Sequence, residues 1–393
     1  AGNTKIILNG THFDRFTDDT NSEVADFNTN KTVNIVSDNV VYKDSLIRVG
    51  DNLNATGDKS DGNVRIITAD GVTFTYAANG YSSARVVKNS EGKNVIKNDY
   101  TIADDTKDVQ RTISIENSGK NGAYTGIEAG NVTIMNQSNA AGSTIKVKDA
   151  TIKANKMVNG ENGIVCIKGT DDVEIANTRI DTLNTTAVKE DGTKLNTLNK
   201  DNNGKVIINA DKNLKITDSA IKTEGSNIDS DNDAFVSMVA RTGNTDINNT
   251  RIVADGNIAA QAADKTNIDN SLLEAKNSVN NSIKKDVLIT GGTTGIDIND
   301  SVAYASGNVD IYSRYSNGNT AGDINITSTP KNGENQTLII AEDDLSIEGR
   351  NTKIDNSSLA YKNIKFYNKN TNGINNVTVK NVSTFTHVGS DGK

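Results

Sequence analysis

The sequence predicts an all-β chain wound as a parallel β-helix, a solenoid forming a single elongated domain. Three observations carry that prediction: a short phrase recurs along the chain, apolar residues alternate with polar ones inside it, and the composition suits only a thin core.

The composition sets the bounds. The 393 residues include 57 asparagines but one proline, one cysteine and no tryptophan, with 4% aromatic and 34% hydrophobic residues. With aromatics this scarce, core area must come from Ile, Val, Leu and Ala, which fits many small layers better than one thick core. Disordered chains are usually proline-rich and poor in β-branched residues, and this chain is the reverse. The net charge of -8 arises from 42 basic and 50 acidic residues of interspersed sign, which argues against nucleic acid as a partner. No run of apolar residues is long enough for a membrane span, and the stretch 234–240 is interrupted by Ser237. The opening Ala1-Gly2-Asn3-Thr4 lacks a basic and an apolar region, as expected of a mature secreted chain or an internal fragment. A single cysteine excludes an internal disulfide framework.

The recurring phrase reads apolar, x, apolar, x, Asn or Asp, Ser or Thr, x, apolar. Val173-Glu174-Ile175-Ala176-Asn177-Thr178-Arg179-Ile180 and Leu214-Lys215-Ile216-Thr217-Asp218-Ser219-Ala220-Ile221 match at every defined place. Further copies carry Asn249-Thr250, Asn270-Ser271, Asp300-Ser301 and Asn356-Ser357, with a degraded echo at Asn381. The Asn or Asp positions are separated by about 41, 31, 21, 30, 56 and 25 residues, a unit of roughly 20 to 30 residues with insertions.

Alternation of apolar and polar residues is the signature of a strand with one face inward. A helical reading fails because the i, i+3, i+4 pattern is missing and Asn and Gly recur too often. Asn/Asp and Ser/Thr bend a chain by bonding to nearby backbone groups, so each phrase reads strand, bend, strand. Antiparallel hairpins compete with a β-helix, because Asp61-Gly62, Asp70-Gly71, Asn79-Gly80, Asp191-Gly192 and Asp255-Gly256 are hairpin-turn dipeptides. Those dipeptides occupy no fixed place in the repeat, whereas the bend does. Stacked bends in a parallel β-helix would align Asn177, Asp218, Asn249, Asn270, Asp300, Asn356 and Asn381 into a turn ladder.

About 17 coils of roughly 22 residues, each rising about 4.8 Å, would give a rod on the order of 80 Å long. Residues 131–393 form the regular repeats, with loop insertions expected near 183–204, 226–241 and 315–336. Before residue 131 the phrase is less exact, and 1–130 is read as irregular coils of the solenoid or as its N-terminal cap.

Asn249-Thr250-Arg251-Ile252-Val253-Ala254-Asp255-Gly256-Asn257-Ile258 and Asp300-Ser301-Val302-Ala303-Tyr304-Ala305-Ser306-Gly307-Asn308-Val309 resemble the haemagglutinin-type repeats of filamentous-haemagglutinin-like exoproteins of two-partner secretion systems. The resemblance covers residues 131–382. It implies a right-handed β-helix exported by a Gram-negative bacterium to the cell surface, for adhesion, biofilm or toxin delivery. The family's N-terminal secretion domain carries Asn-Pro motifs, which a chain whose only proline is Pro330 does not contain.

Candidate chemistry is sparse. Asp229, Asp231 and Asp233 place carboxylates at alternate positions, as at the start of many calcium loops, but an EF-hand would need Gly and Glu where Ala234 and Ala240 stand. The segment therefore reads first as a solvated acidic loop, no cofactor is expected, and calcium is the one it could take. The same three aspartates with Arg241 could serve a polysaccharide lyase or glycoside hydrolase, the alternative to a non-catalytic reading. Against that alternative, acidic residues are spread almost evenly and no tryptophan offers a sugar platform. His12 and His387 lie near opposite ends, too far apart in a solenoid to share a site within one chain. Cys166, inside the run Ile164-Val165-Cys166-Ile167, reads as a small buried residue rather than a nucleophile.

Tyr304, Tyr312, Tyr315, Tyr361 and Tyr367 gather in the C-terminal third and could bind a glycan or protein if they stack facing solvent, or else support neighbouring coils. The expected function is that of a secreted cell-surface structural protein or adhesin, not an enzyme. Its expected partner is a glycan or protein on a host or neighbouring cell, and uncovered strand edges would let copies associate end to end into filaments.

Overall fold

One turn of the chain shows the plan. Thr245–Asn248, Arg251–Ala254 and Ile258–Ala262 are three successive strands. The chain then returns as Lys265–Asp269 and lies parallel on the first of them, with Thr245 opposite Thr266 and Ile247 opposite Ile268. Repetition builds three parallel sheets of 12, 12 and 11 strands, the architecture of a parallel β-helix. The computed structural model describes residues 4–17, 32–51, 63–69, 72–74, 85–88, 94–97, 100–102, 109–138, 140–154, 163–182, 187–188, 194–195, 204–224, 235–278, 281–313, 321–329, 336–367 and 376–386.

Among the described residues the first and second sheets hold 12 strands each, against the roughly 17 coils expected. Corner residues on successive coils are 21 residues apart from Thr250 to Ser271 but 36 apart from Ser301 to Thr337. Loop-closure entropy grows slowly with length, so a coil tolerates a long excursion provided its strands return to register. Two of the expected insertions contain sheet strands: Phe235–Ala240 lies within 226–241, and Asp323–Thr327 within 315–336. Both carry the inward alternation of the core, Val236, Met238 and Ala240 in one and Ile324 and Ile326 in the other.

The chain divides into two compact units, Ala1–Ile208 with Lys222–Ala234, and Asn209–Ile221 with Phe235–Lys393. In the first unit, Lys5–Asn9, Asn39–Lys43, Thr112–Glu116, Ile145–Lys148 and Val173–Ala176 stack in that order in the first sheet. The described strands of the three parallel sheets before residue 131 thus belong to coils of the same solenoid. Their phrase is blurred by excursions, one of which contains the antiparallel pairs Val72–Phe74 with Tyr100–Ile102 and Arg85–Lys88 with Asn94–Lys97. A third antiparallel pair, Ala187–Val188 with Lys194–Leu195, also lies outside the three parallel sheets. In the third sheet of this unit, every residue of Asn63–Thr68 and Asn131–Asn136 is buried, on both faces.

In the second unit the core is a set of aliphatic columns. Ile247, Ile268, Ile298, Ile326 and Ile354 follow one another along the first sheet, and all are buried. Each short strand turns about two residues inward, and burying a Leu, Ile or Val contributes about 1.5–3 kcal/mol. This explains the scarcity of aromatics. Tyr42, in the first unit, is the large exception, fully buried with its hydroxyl donating to the Gly126 carbonyl at 2.7 Å. Thr245 and Thr266 satisfy their inward hydroxyls on the neighbouring backbone, donating to the carbonyls of Gln261 and Thr290, both at 2.7 Å. At the corner from third to first sheet, Gly292 is required because a Cβ there would stand 1.6 Å from the Ala263 carbonyl oxygen.

Candidate functional site

The corner between the first and second sheets is the most regular feature of the fold. All seven ladder positions, Asn177, Asp218, Asn249, Asn270, Asp300, Asn356 and Asn381, have left-handed backbone, with φ between 44° and 52°. Asn and Asp tolerate that region better than other residues with a side chain. Asp44 and Asp149 adopt it too and were missed: Val40-Val41-Tyr42-Lys43-Asp44-Ser45-Leu46-Ile47 carries the whole phrase but stands far from the regular repeats, and Asp149 is followed by Ala150 rather than a hydroxyl residue. Where the positions stack directly, amides bridge them. Asn249 donates to Asp218 at 2.6 Å, Asn270 to Asn249 at 3.1 Å, and Asn177 to Asp149.

The hydroxyl residue after each corner has a separate task. Thr250 and Ser271 donate to the carbonyls two residues back, at 2.8 and 2.7 Å, which holds the bend closed. Each hydroxyl also receives the N–H of the corner residue on the preceding coil. Thr250 N donates to Ser271 Oγ, and Ser271 N to Ser301 Oγ, both at 3.0 Å. The bend removes that N–H from the sheet ladder, and the buried hydroxyl column satisfies it.

Stacking also organises the outward face of the first sheet in the second unit. Register places Asp246, Asn267, Asp297 and Asn325 in one column, and Asn248, Asp269 and Asn299 in the next. Like charges directly opposite one another would repel. Alternation replaces repulsion with bonding, because an amide NH2 donates where a second carboxylate would only accept. Asn325 donates to Asp297 at 2.8 Å, and Asp269 accepts from Asn248 at 3.1 Å and Asn299 at 2.8 Å.

A second ladder runs along the corner into the third sheet. Asn257, Asp286 and Asn308 accept the backbone N–H of Asp286, Asn308 and Asp344 at 2.9, 2.6 and 3.1 Å. The signal that would have found it is an Asn or Asp immediately before an apolar residue, as in Asn257-Ile258, Asp286-Val287 and Asn308-Val309. Within this ladder, burial pushes the Asp286 carboxyl above its ordinary value, with Asp310 and Asp343 adding to the effect, against the lowering influence of the Asn308 N–H and Lys285.

The outward face of the second sheet in this unit differs in character. Arg251, Leu272, Val302 and Leu338 form one column and Val253, Glu274, Tyr304 and Ile340 the next. Apart from the exposed Arg251, these side chains are half-buried. Tyr304 donates its hydroxyl to Glu342, which also accepts from Lys284 at 2.7 Å. Burial and Glu342 together raise the hydroxyl's pKa.

The remaining candidates fall in separate places. Tyr312 and Tyr367 are on the third sheet, with Glu348 between them in register, while Tyr361 ends the second-sheet strand Ser357–Tyr361. The four candidate tyrosines that are described, Tyr304, Tyr312, Tyr361 and Tyr367, therefore form no single aromatic column. Tyr315, His387, Asp229, Asp231 and Asp233 lie outside the described residues. Arg241 pairs with Asp211 at 3.1 Å on the surface, and His12 is exposed. Cys166 is fully buried, and burial pushes its thiol up to about 12. Among the described residues no three His, Cys, Asp or Glu side chains gather to hold a metal, and no helix is long and apolar enough to cross a membrane.

Comparison with known proteins finds no match. No family model, no curated protein and no solved structure is similar to this chain.

Proposed function

We propose that the chain is a non-catalytic β-helical scaffold of a bacterial cell surface, acting in attachment, biofilm or fibre formation. The observation that carries this reading is how the outward faces are made. They are built by repetition, with Asp and Asn alternating from coil to coil on the first sheet and Leu272, Val302 and Leu338 in line on the second. A catalytic site needs unlike groups converging on one point. An adhesive surface needs extent and repeated spacing, which stacked coils provide.

The resemblance of 249–258 and 300–309 to haemagglutinin-type repeats supports export to the surface of a Gram-negative cell. On this reading the partner is a glycan or protein of a host or neighbouring cell, met by the half-buried aliphatic columns and Tyr304 on the second sheet. Beads coated with the purified chain should bind cells or a glycan array above the level of uncoated beads, and Leu272→Asp with Leu338→Asp should reduce that binding. Equal binding by coated and uncoated beads across the panel would remove the adhesive reading.

A further inference from the structure

Arg251–Ala254, Leu272–Ala275, Val302–Ala305 and Thr337–Ala341 lie side by side in the second sheet. Three of them pass to the third sheet through a short corner, but after Leu272–Ala275 the chain takes residues 276–286 before Val287–Gly291 begins. Connecting segments normally run over the surface. Here Asn277, Ile283 and Lys285 are 0%, 9% and 2% exposed, so this one is packed down.

Its contacts reach beyond its own coil. Ser278 N donates to Asp255 Oδ1 at 3.1 Å, on the coil before. Lys285 N donates to Ser306 Oγ at 3.0 Å, and Gly307 N returns to the Lys285 carbonyl at 2.8 Å, on the coil after. A Cβ at Gly307 would stand 2.3 Å from Asp286 Oδ1 and 3.3 Å from Lys284 Cβ, so the segment lies on that corner too closely for a side chain there. Lys284 Nζ reaches further still, to Glu342 Oε2 at 2.7 Å, two coils on.

We propose that 276–286 is a strap that ties these four successive coils together, with Lys284 and Glu342 as its latch. Ladder bonds join only adjacent strands, so each opens when one pair of coils parts. The latch joins coils that are not neighbours, and it therefore resists opening on either side of Val302–Ala305. Glu342 takes the Tyr304 hydroxyl on its other oxygen, which grips the middle coil as well.

The strands spanned by the latch carry Leu272, Val302, Leu338, Tyr304 and Ile340, the face assigned above to attachment. A partner pulling on Tyr304 passes its load through Glu342 and Lys284 into the strap, and on to the coil of Asp255. That use rests on the adhesive reading. The strap itself does not.

The latch side chains are 44% and 25% exposed, and an ion pair so placed adds little to global stability. Its signature is which amides it protects, and hydrogen exchange of the 393-residue chain reads them because exchange rates report local opening. Lys284→Ala should quicken exchange about 5-fold across 302–309 and at Asp343. Glu342→Gln, which keeps an oxygen for Tyr304, should do the same, and the double variant should be no faster than either single one. Lys284→Arg should keep the parent's rates. Unchanged rates at 302–309, quickening confined to 276–286, effects of the two variants that add, or an arginine variant as fast as the alanine one would overturn the proposal. Exchange needs no partner, so parent-coated beads that fail to bind cells would remove the adhesive reading alone and leave the strap in place.

Discussion

Asn249 stacks on Asp218 at the same left-handed corner of the next coil, and its Nδ2 donates to the Asp218 Oδ1 at 2.6 Å. Both residues hold positive φ, 47° and 51°. Two properties of one side-chain type therefore act together: tolerance of a backbone conformation that costs other L-residues about 1–2 kcal/mol, and an amide that links coil to coil. Substitution separates them. Asn249→Gly keeps the backbone at ease and loses only the amide bridge, whereas Asn249→Ala loses both. The alanine variant should be less stable than the glycine variant by about 1 kcal/mol, and a smaller difference in thermal melts would assign the corner to hydrogen bonding alone.

Ser271 makes the second test of the corner. Its hydroxyl donates to the Asp269 carbonyl at 2.7 Å and accepts Thr250 N at 3.0 Å, in a buried position. Ser271→Ala should cost about 1–3 kcal/mol, because the Thr250 N–H is left unsatisfied. Ser271→Thr should restore most of it, since Thr250 and Thr178 occupy the equivalent place. Hydrogen exchange at the Thr250 amide should quicken in the alanine variant only.

Asp286 gives a pH dependence with a definite sign. Its folded-state pKa lies above the ordinary 3.8, chiefly through burial. A carboxyl with a raised folded pKa binds protons more tightly in the folded than in the unfolded state, so it weakens the fold at neutral pH and the penalty fades as pH falls through the raised value. Asp286→Asn keeps an oxygen for Asn308 N and copies the residue type of Asn257 and Asn308. The variant should melt higher than the parent at pH 7, and the gap should narrow as pH falls toward 3.8. A gap that widens in acid would contradict this assignment.

Cys166 should be chemically silent in the folded protein. Its thiol is fully buried and pushed up to about 12, so little thiolate exists at neutral pH. A thiol reagent should label it only after denaturant is added. Labelling of the native chain at the rate of a free thiol would show that the third sheet opens around it.

Much of the fold was legible because its signals are local. Alternation marked the strands, and the Asn/Asp-Ser/Thr pair marked the bend, down to the residues that hold positive φ. The second ladder, through Asn257, Asp286 and Asn308, was not read, since its signal is a single polar residue before a strand and many loops share it. The tyrosines gathered in the sequence but not in space, because Tyr304 falls on the second sheet and Tyr312 and Tyr367 on the third.

The sequence by itself determined that the chain makes short strands with one apolar face, bent at regular corners, since those properties depend on residues a few places apart. Only the tertiary structure decided which residue lies on which. Asn267 meets Asp246, and Asn325 meets Asp297, through coils of unequal length. A one-residue slip would turn the inward columns outward, so register is fixed by stacking the corners and burying those columns together, across excursions whose lengths carry no signal of their own.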